Sequence, residues 1–333
     1  MEFPVISGYM ENTGVHTGAR QTYFLKKKKS ILLLSLIVVA SLFAAVFHYT
    51  LEAPPLFLQL YFGQAEGLNN RRIFSDLRIQ QSQFLPGYIS VTTQQPLRLN
   101  CNTCSIVSSS GQMLGQKMGQ DIDQSTCVWR MNNAPSKGFE TDVGTRTTVR
   151  VVSHTSVPLL FQKQQYFFGE ANDTVYVIWG PYRNMRQDGK GIIYNMLWEI
   201  VKSYPHAKIY VTTEDRMNHC DRIFKRETGK DRVQSGSYLS TGWFTLVLAM
   251  DVCHKIHIYG MINATHCSLH RTEGYKRVPY HYYEAGSRDE CTEYFLHENA
   301  PYGGHRFITE KSVFAKWAKQ HNMTFSHPMW SLS

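Results

Sequence analysis

Apolar positions in this chain gather into short β-branched runs that each stop at small polar residues. Residues 105–107 (Ser-Ile-Val) run into Ser108-Ser109-Ser110-Gly111. Residues 128–131 (Val-Trp-Arg-Met) run into Asn132-Asn133, and residues 148–152 run into Ser153-His154. Their length and composition predict buried strands. Further along, residues 175–178 predict a strand ending at Trp179-Gly180-Pro181, residues 192–204 have helical spacing, and residues 208–212 predict another strand. Residues 243–253 predict an apolar helix capped by Ser240 or Thr241, and residues 256–259 a strand after it. Elements alternate in the manner of an α/β domain. Ligands of open α/β sheets bind beyond the carboxyl ends of the strands, so Ser109, Asn132 and Ser153 are expected to meet at a nucleotide-like pocket. Turns also use Ser, Asn and Gly, which gives the alternative that three strands simply end there. The free N–H groups and dipole at the start of the 243–253 helix suit a carboxylate or phosphate.

The amino-terminal part is different. Residues 30–51 carry no charge and follow four lysines, Lys26 to Lys29. At about 1.5 Å per residue, that run matches the roughly 30 Å hydrocarbon core of a membrane. It is longer and starts later than the apolar core of a cleaved signal peptide. The expectation is an uncleaved anchor, with the lysines holding the amino terminus in the cytosol. The chain then divides into a cytoplasmic tail (1–29), a transmembrane signal anchor (30–51), a stem (52–85) rich in turn-forming residues, and a luminal domain (86–333). Three acceptor sequons, at Asn172, Asn263 and Asn322, agree with a luminal location.

Charge and cysteine content narrow the partners. A formal net charge of +9 points to anionic ligands, either nucleic acid or an anionic nucleotide-sugar. There is no zinc-finger spacing and no RNA-binding signature, and topology accounts for the one dense basic run, so no nucleic-acid partner is expected. Seven cysteines in a luminal domain invite disulfides, but spacing leaves their pairing open. Cys101-Asn102-Thr103-Cys104 has the form of a redox or zinc half-site, yet no second such pair exists. Asp121-Ile122-Asp123 has the DxD form of a metal-binding glycosyltransferase motif. Gly229-Lys230 lacks the residues of a P-loop.

Four stretches together carry a family resemblance. Cys104, Ser109 to Gly111, Gly119 to Asp123, Arg130 to Pro135 and Asp142 to Thr148 resemble the large sialyl motif of animal-type sialyltransferases. Residues 235–261, with Ser240-Thr241-Gly242, resemble the small motif, His281-Tyr282-Tyr283-Glu284 the short aromatic motif, and His305 to Glu310 the final His-x-x-x-x-Glu motif. Relatives carry His-Asp where this chain has Gln124-Ser125, and some carry Asn in place of Ser153. The resemblance implies a modified Rossmann-like α/β fold of the GT-A-like sialyltransferase type. It also implies a CMP-sialic acid (CMP-Neu5Ac) donor bound by Ser109, Asn132, Ser153, Ser240, Thr241 and Gly242. His281, helped by Tyr282, would meet the departing phosphate, and His305 would act as general base. It implies a Cys104–Cys253 disulfide. Cys267 and Cys291 flank the third motif and are candidates to close that loop, Cys101 and Cys127 are candidates for a third pair, and Cys220 would be left over. In this family the second Asp of the DxD belongs to the large motif, so no metal and no cofactor are expected.

Wording outside the motifs, including residues 153–158, 227–232 and 300–305, is similar to the N-acetylgalactosaminide α2,6-sialyltransferases, and closest to their type III branch. That subfamily implies a Golgi type II membrane enzyme. Its acceptor would already bear sialic acid, Neu5Acα2,3-Galβ1,3-GalNAc, on glycolipid or O-glycan. A type IV-like preference for O-glycoproteins and a catalytically inactive glycan-binding relative are the alternatives.

Overall fold

A computed structural model describes Ser41 and residues 84–171, 173–269, 275–284 and 286–332. All of these except Ser41 lie in the second of two compact units, Gln80–Ser333. The expected tail, the anchor apart from Ser41, the stem as far as residue 83, and Asn172 lie outside the described residues. Among the described residues no helix is long and apolar enough to cross a membrane.

Nine strands form one sheet in the order β2-β1-β7-β6-β5-β4-β3-β8-β9. They are β1 (Phe84–Ser90), β2 (Pro96–Arg98), β3 (Cys101–Val107), β4 (Cys127–Met131), β5 (Val149–Ser153), β6 (Val175–Trp179), β7 (Lys208–Thr212), β8 (Cys253–Tyr259) and β9 (Met323–Ser326). From β7 to β9 all neighbours pair in parallel, whereas β1 runs antiparallel to both β2 and β7. The antiparallel edge begins at Phe84, inside the stretch read as stem.

The strand runs are apolar throughout because both faces of the sheet are covered. Ile106, Trp129, Val151, Val177 and Ile258 point to one face, into a core completed by Trp243, Phe314 and Trp317. Their neighbours in sequence point the other way. Val152 and Ile178 pack with Leu160, Phe167 and Ile193, while Val107, Val128 and Tyr259 pack with Met113 and Ile122. Period-two alternation therefore holds in the packing even though both alternating positions are apolar.

The helices named below are α1 (Gly119–Asp123), α2 (Val157–Gln162), α3 (Ile192–Ser203), α4 (Glu214–Thr228), α5 (Thr241–Val252), α6 (Glu290–Glu298) and α7 (Phe307–Gln320). Helix α5 is apolar on nearly every side, as a helix enclosed in the core must be. The chain builds the sheet outward from β3 to β7, then returns to place β8 on the other side of β3. That reversal opens a crevice at the carboxyl ends of β3 and β8, the usual ligand position in such sheets.

Three disulfides fasten this centre. Cys101–Cys127 links β3 to β4, Cys104–Cys253 links β3 to β8, and Cys267–Cys291 closes a loop onto α6. Cys220 is a buried free thiol. The sulfurs of Cys101, Cys104 and Cys253 lie close together, but each is already bonded to carbon and sulfur, so the cluster offers no thiolate for a metal.

Candidate active site

A cavity of about 130 Å³ occupies the crevice. Ser109, Asn132, Ser240, Thr241, Gly242, His281 and His305 all line it, together with Met261, Tyr280, Phe307 and Lys311. Four stretches far apart in sequence thus meet at one place.

The β3 end is held by backbone contacts. The Ser109 carbonyl accepts from the Tyr282 N–H (2.9 Å), and the Gly111 N–H donates to the Pro279 carbonyl (2.9 Å). A Cβ on Gly111 would come within 2.6 Å of Pro279, so only glycine lets the two loops approach this closely.

Asn132 follows β4 in a left-handed conformation (φ 49°), rare for a side-chain-bearing residue and frequent at functional sites. Buried Arg150 holds it there by donating to the carbonyls of Asn132 (2.8 Å) and Ala134 (2.9 Å). Buried Arg130 clamps the next loop through the Val143 and Arg146 carbonyls, and burial lowers its pKa to about 10. Asn132 Oδ1 accepts from the Ser153 N–H (2.9 Å) and lies 3.4 Å from Thr241 Oγ1. With Oδ1 occupied, the Nδ2 hydrogens are the ones left to face the cavity.

Ser153 does not reach the cavity. Its hydroxyl bonds to Thr155 Oγ1 (2.8 Å) and caps a short turn. It supports Asn132 through its backbone instead. Tyr282 is also displaced from its expected place. Its ring is buried edge-on against Phe139, and its hydroxyl donates to the Pro135 carbonyl (2.5 Å), so it braces the Asn132 loop from behind.

The small motif forms the first turn of α5. Ser240 caps the helix by accepting from the Trp243 N–H (3.1 Å). Its own N–H donates to Glu310 Oε1 (2.8 Å), and its hydroxyl donates to Glu310 Oε2. The Ser240 donors are therefore committed to the protein. The N–H groups of Thr241 and Gly242, in the first turn without intrahelical acceptors, are the ones free for an anion. Glu310 is 1% exposed, and burial raises its pKa to about 7.

His305 lies half-buried just before α7. Its Nδ1 is 3.0 Å from the Tyr238 carbonyl, which can only accept. This contact sets the neutral tautomer with Nδ1–H and leaves the Nε2 lone pair as a proton acceptor. Burial first, then the stacked ring of His297 (5.3 Å between centroids), lowers the His305 pKa, so the ring is neutral at neutral pH. His281 stacks between Tyr280 (4.3 Å) and Tyr283 (5.1 Å). Its Nδ1 lies 2.8 Å from Glu284 Oε2, close enough for an ion pair but without hydrogen-bond geometry.

Sequence reasoning passed over Lys311. It is 4% exposed and lines the cavity, and its Nζ sits 4.0 Å from the Tyr294 ring centre. Burial lowers its pKa to about 8, against the nearby charges of Glu290 and Glu310. The signal was available: Phe307, Glu310, Lys311 and Phe314 fall at the spacing of one helix face, and charges on a core-facing stripe mark a site.

Asp121-Ile122-Asp123 forms most of α1. Asp123 accepts from the Thr145 N–H (2.8 Å), the Thr145 hydroxyl (2.8 Å) and the Arg146 N–H (3.1 Å), tying α1 to the following loop.

Residues 70–322 match the family model described as Glycosyltransferase family 29 (sialyltransferase). The chain is 70% identical over 247 residues to Mus musculus alpha-N-acetylgalactosaminide alpha-2,6-sialyltransferase 3, covering 74% of this chain and 80% of that protein. It is 51% identical over 245 residues to the Homo sapiens alpha-N-acetyl-neuraminyl-2,3-beta-galactosyl-1,3-N-acetyl-galactosaminide alpha-2,6-sialyltransferase, covering 73% of this chain and 80% of that protein. A crystal structure of a mammalian sialyltransferase in complex with Gal-beta-1-3GalNAc-ortho-nitrophenol aligns at 19% identity and a TM-score of 0.44, over 80% of this chain and 82% of that one. With a family model covering most of its length and a relative at 70% identity, the chain belongs to glycosyltransferase family 29, the sialyltransferases.

Proposed function

We propose that the protein transfers sialic acid from CMP-sialic acid to O6 of GalNAc in Neu5Acα2,3-Galβ1,3-GalNAc, on glycolipid or O-glycan, with inversion at the anomeric carbon. The human relative at 51% identity is named for that acceptor and that linkage. One observation carries the chemistry: an imidazole whose Nδ1 is held by the Tyr238 carbonyl shares a small cavity with a helix amino terminus and a second histidine.

Thr241 and Gly242 N–H groups, at the positive end of the α5 dipole, receive the donor's carboxylate. Asn132 Nδ2 and the Ser109 loop hold the nucleotide portion. Lys311 supplies a cation in a low-dielectric setting, where its field is least screened. His305 Nε2 takes the proton from O6 as O6 attacks the anomeric carbon, and His281 donates to the leaving phosphate. The oxygens of Asp123 are engaged by Thr145 and Arg146, which supports a reaction without a divalent cation.

The reading extends to cell topology. Residues 1–29 face the cytosol, 30–51 anchor the chain in the Golgi membrane, 52–83 form the stem, and the domain that begins with β1 at Phe84 works in the lumen, with Asn172, Asn263 and Asn322 as glycan acceptors. Three disulfides among the described residues support an oxidising compartment.

The test is transfer by the full chain in detergent to Galβ1,3-GalNAc with and without terminal α2,3-sialic acid, on lipid and on peptide, the linkage read by specific sialidases. The expected result is transfer to O6 of GalNAc in the sialylated acceptors, undiminished by EDTA. Equal transfer to the bare disaccharide would overturn the acceptor assignment. CMP binding without any transfer would make the chain a glycan-binding relative. Loss of turnover in EDTA would overturn metal independence.

A further inference from the structure

Two exposed tyrosines stand beside His305, an exposed arginine lies on the same edge of the sheet, and none of the three has a part in the chemistry above. Residues 236–238 and 302–305 pair as a short ribbon. The Gly303 N–H donates to the Gly236 carbonyl (2.7 Å), the Tyr238 N–H donates to the Gly304 carbonyl (3.0 Å), and Tyr238 and His305 are bridge partners. The Tyr238 carbonyl that fixes the His305 tautomer therefore belongs to the same ribbon that displays Tyr238 and Tyr302. Tyr302 is 75% exposed and Tyr238 42%. The paired backbone of the ribbon fixes where both side chains project. Gly236 has φ +61°, and a Cβ there would lie 2.7 Å from Tyr302 Cδ2. The Tyr302 ring thus rests on bare backbone, with its other face turned to solvent.

Arg183 belongs to the short helical turn Tyr182–Met185, just past the carboxyl end of β6. Trp179, the last residue of β6, stacks on Phe244 of α5 (4.3 Å), which brings this turn to the same edge of the sheet as the site. Arg183 is exposed, and no carboxylate lies within ion-pair distance of it among the described residues. Its charge acts on both Tyr302 and His154. A flat aromatic surface with an exposed guanidinium on the same edge of the sheet is the chemistry that holds an acidic sugar. The ring supports the apolar face of the pyranose, and the planar fork of Arg matches a carboxylate.

We propose that Tyr238, Tyr302 and Arg183 form the subsite for the terminal sialic acid already present on the acceptor, with Arg183 receiving its carboxylate. The inference rests on the acceptor proposed above and adds the residues that read it. Because the ribbon also carries His305, binding the acceptor's acidic end on the ledge aligns the neighbouring sugars with the base.

Steady-state transfer by the full chain tests this, comparing wild type with Arg183→Gln, Arg183→Lys and Tyr302→Ala. Arg183→Gln is expected to raise KM for the sialylated acceptor about tenfold, the scale of one charge-assisted hydrogen bond at a partly solvated site, with KM for CMP-sialic acid within about twofold of wild type. Arg183→Lys keeps the charge and recovers part of the loss. Tyr302→Ala raises the same acceptor KM. An unchanged acceptor KM in Arg183→Gln overturns the ledge, as does a rise confined to the donor KM, which would give Arg183 to the donor phosphate. Wild type that does not distinguish sialylated from bare acceptor ends the proposed acceptor and the ledge together. Wild type that does distinguish them, beside an unaffected Arg183→Gln, ends the ledge alone.

Discussion

His305 owes its usefulness to its neighbours. The Tyr238 carbonyl demands a hydrogen on Nδ1, and the His305 N–H donates to His297 Nδ1 (3.2 Å), which turns His297 Nε2 toward Glu293. His305→Ala should keep CMP binding and lose about 10²- to 10⁴-fold in transfer, measured as kcat beside a CMP titration. Retained turnover would remove His305 from its role. Burial and His297 lower its pKa, so the base stays neutral as pH falls until below the ordinary imidazole value. The acid limb of kcat/KM should lie on that acid side, and a limb displaced toward alkaline pH would contradict the assignment. At this scale the sequence identified which residues gather but not what each atom does. Ser240 and Asn132 were legible as candidate site residues from their places, one just before a helix and the other just after a strand. That the Ser240 hydroxyl is spent on Glu310, and that Asn132 presents its amide nitrogen, depends on partners 70 and 21 residues away, which no local pattern encodes.

Among elements, α5 is the hinge between packing and chemistry. Its apolar body is fixed in the core, so its first turn is a rigid anion site, and Glu310 of α7 locks that turn from behind. Ser240→Ala should cost about 1 kcal/mol in cap stability and leave the buried Glu310 with one donor fewer. A higher donor KM together with a lower melting temperature is expected, and a variant with both unchanged would show that the cap does not position the turn. Strands β3 to β8 and helices α3 and α5 were readable because apolar runs leave little choice of structure, although only the carboxyl end of β3 was marked by its run. Helix α4 was not read, although Thr213 caps it, Glu214 and Asp215 begin it, Lys225 and Arg226 end it, and Gly229 follows in the left-handed region. Its fully buried positions are only Cys220, Ile223 and Phe224, with Met217 half-buried beside them, a stripe too narrow to stand out by periodicity. Strands β2 and β9 are three and four residues long, and their pairing partners are set by topology rather than by composition.

For the whole molecule, the decisive feature is the return of the chain to place β8 beside β3. The cavity exists only once that pairing is made, and Cys104–Cys253 secures it across 149 residues. Replacing both cysteines by alanine should cost about 2–5 kcal/mol. Chemical denaturation of the oxidised protein and the double variant measures this. Equal midpoints would show that the sheet closes without help from the bond. Alternating α/β order was legible from the run pattern, but the position at which the order reverses was not, since each strand alone fits several neighbours.

The placement of the cysteines also sets a problem in time. In the parallel ladder, Cys104 lies directly beside Cys127, and Cys101 directly beside Cys253, yet the bonds run diagonally, Cys101 to Cys127 and Cys104 to Cys253. Cys101, Cys104 and Cys127 leave the ribosome well before Cys253 does. Adjacent strands are within bonding reach, so the first oxidation can join either Cys101 or Cys104 to Cys127. Only the first choice leaves Cys104 reduced for its late partner. The second also fills every bond once Cys253 arrives, producing a fully oxidised chain with its centre cross-linked in the wrong sense. The yield of correctly bonded protein is therefore governed by how quickly thiol exchange can undo an early mistake.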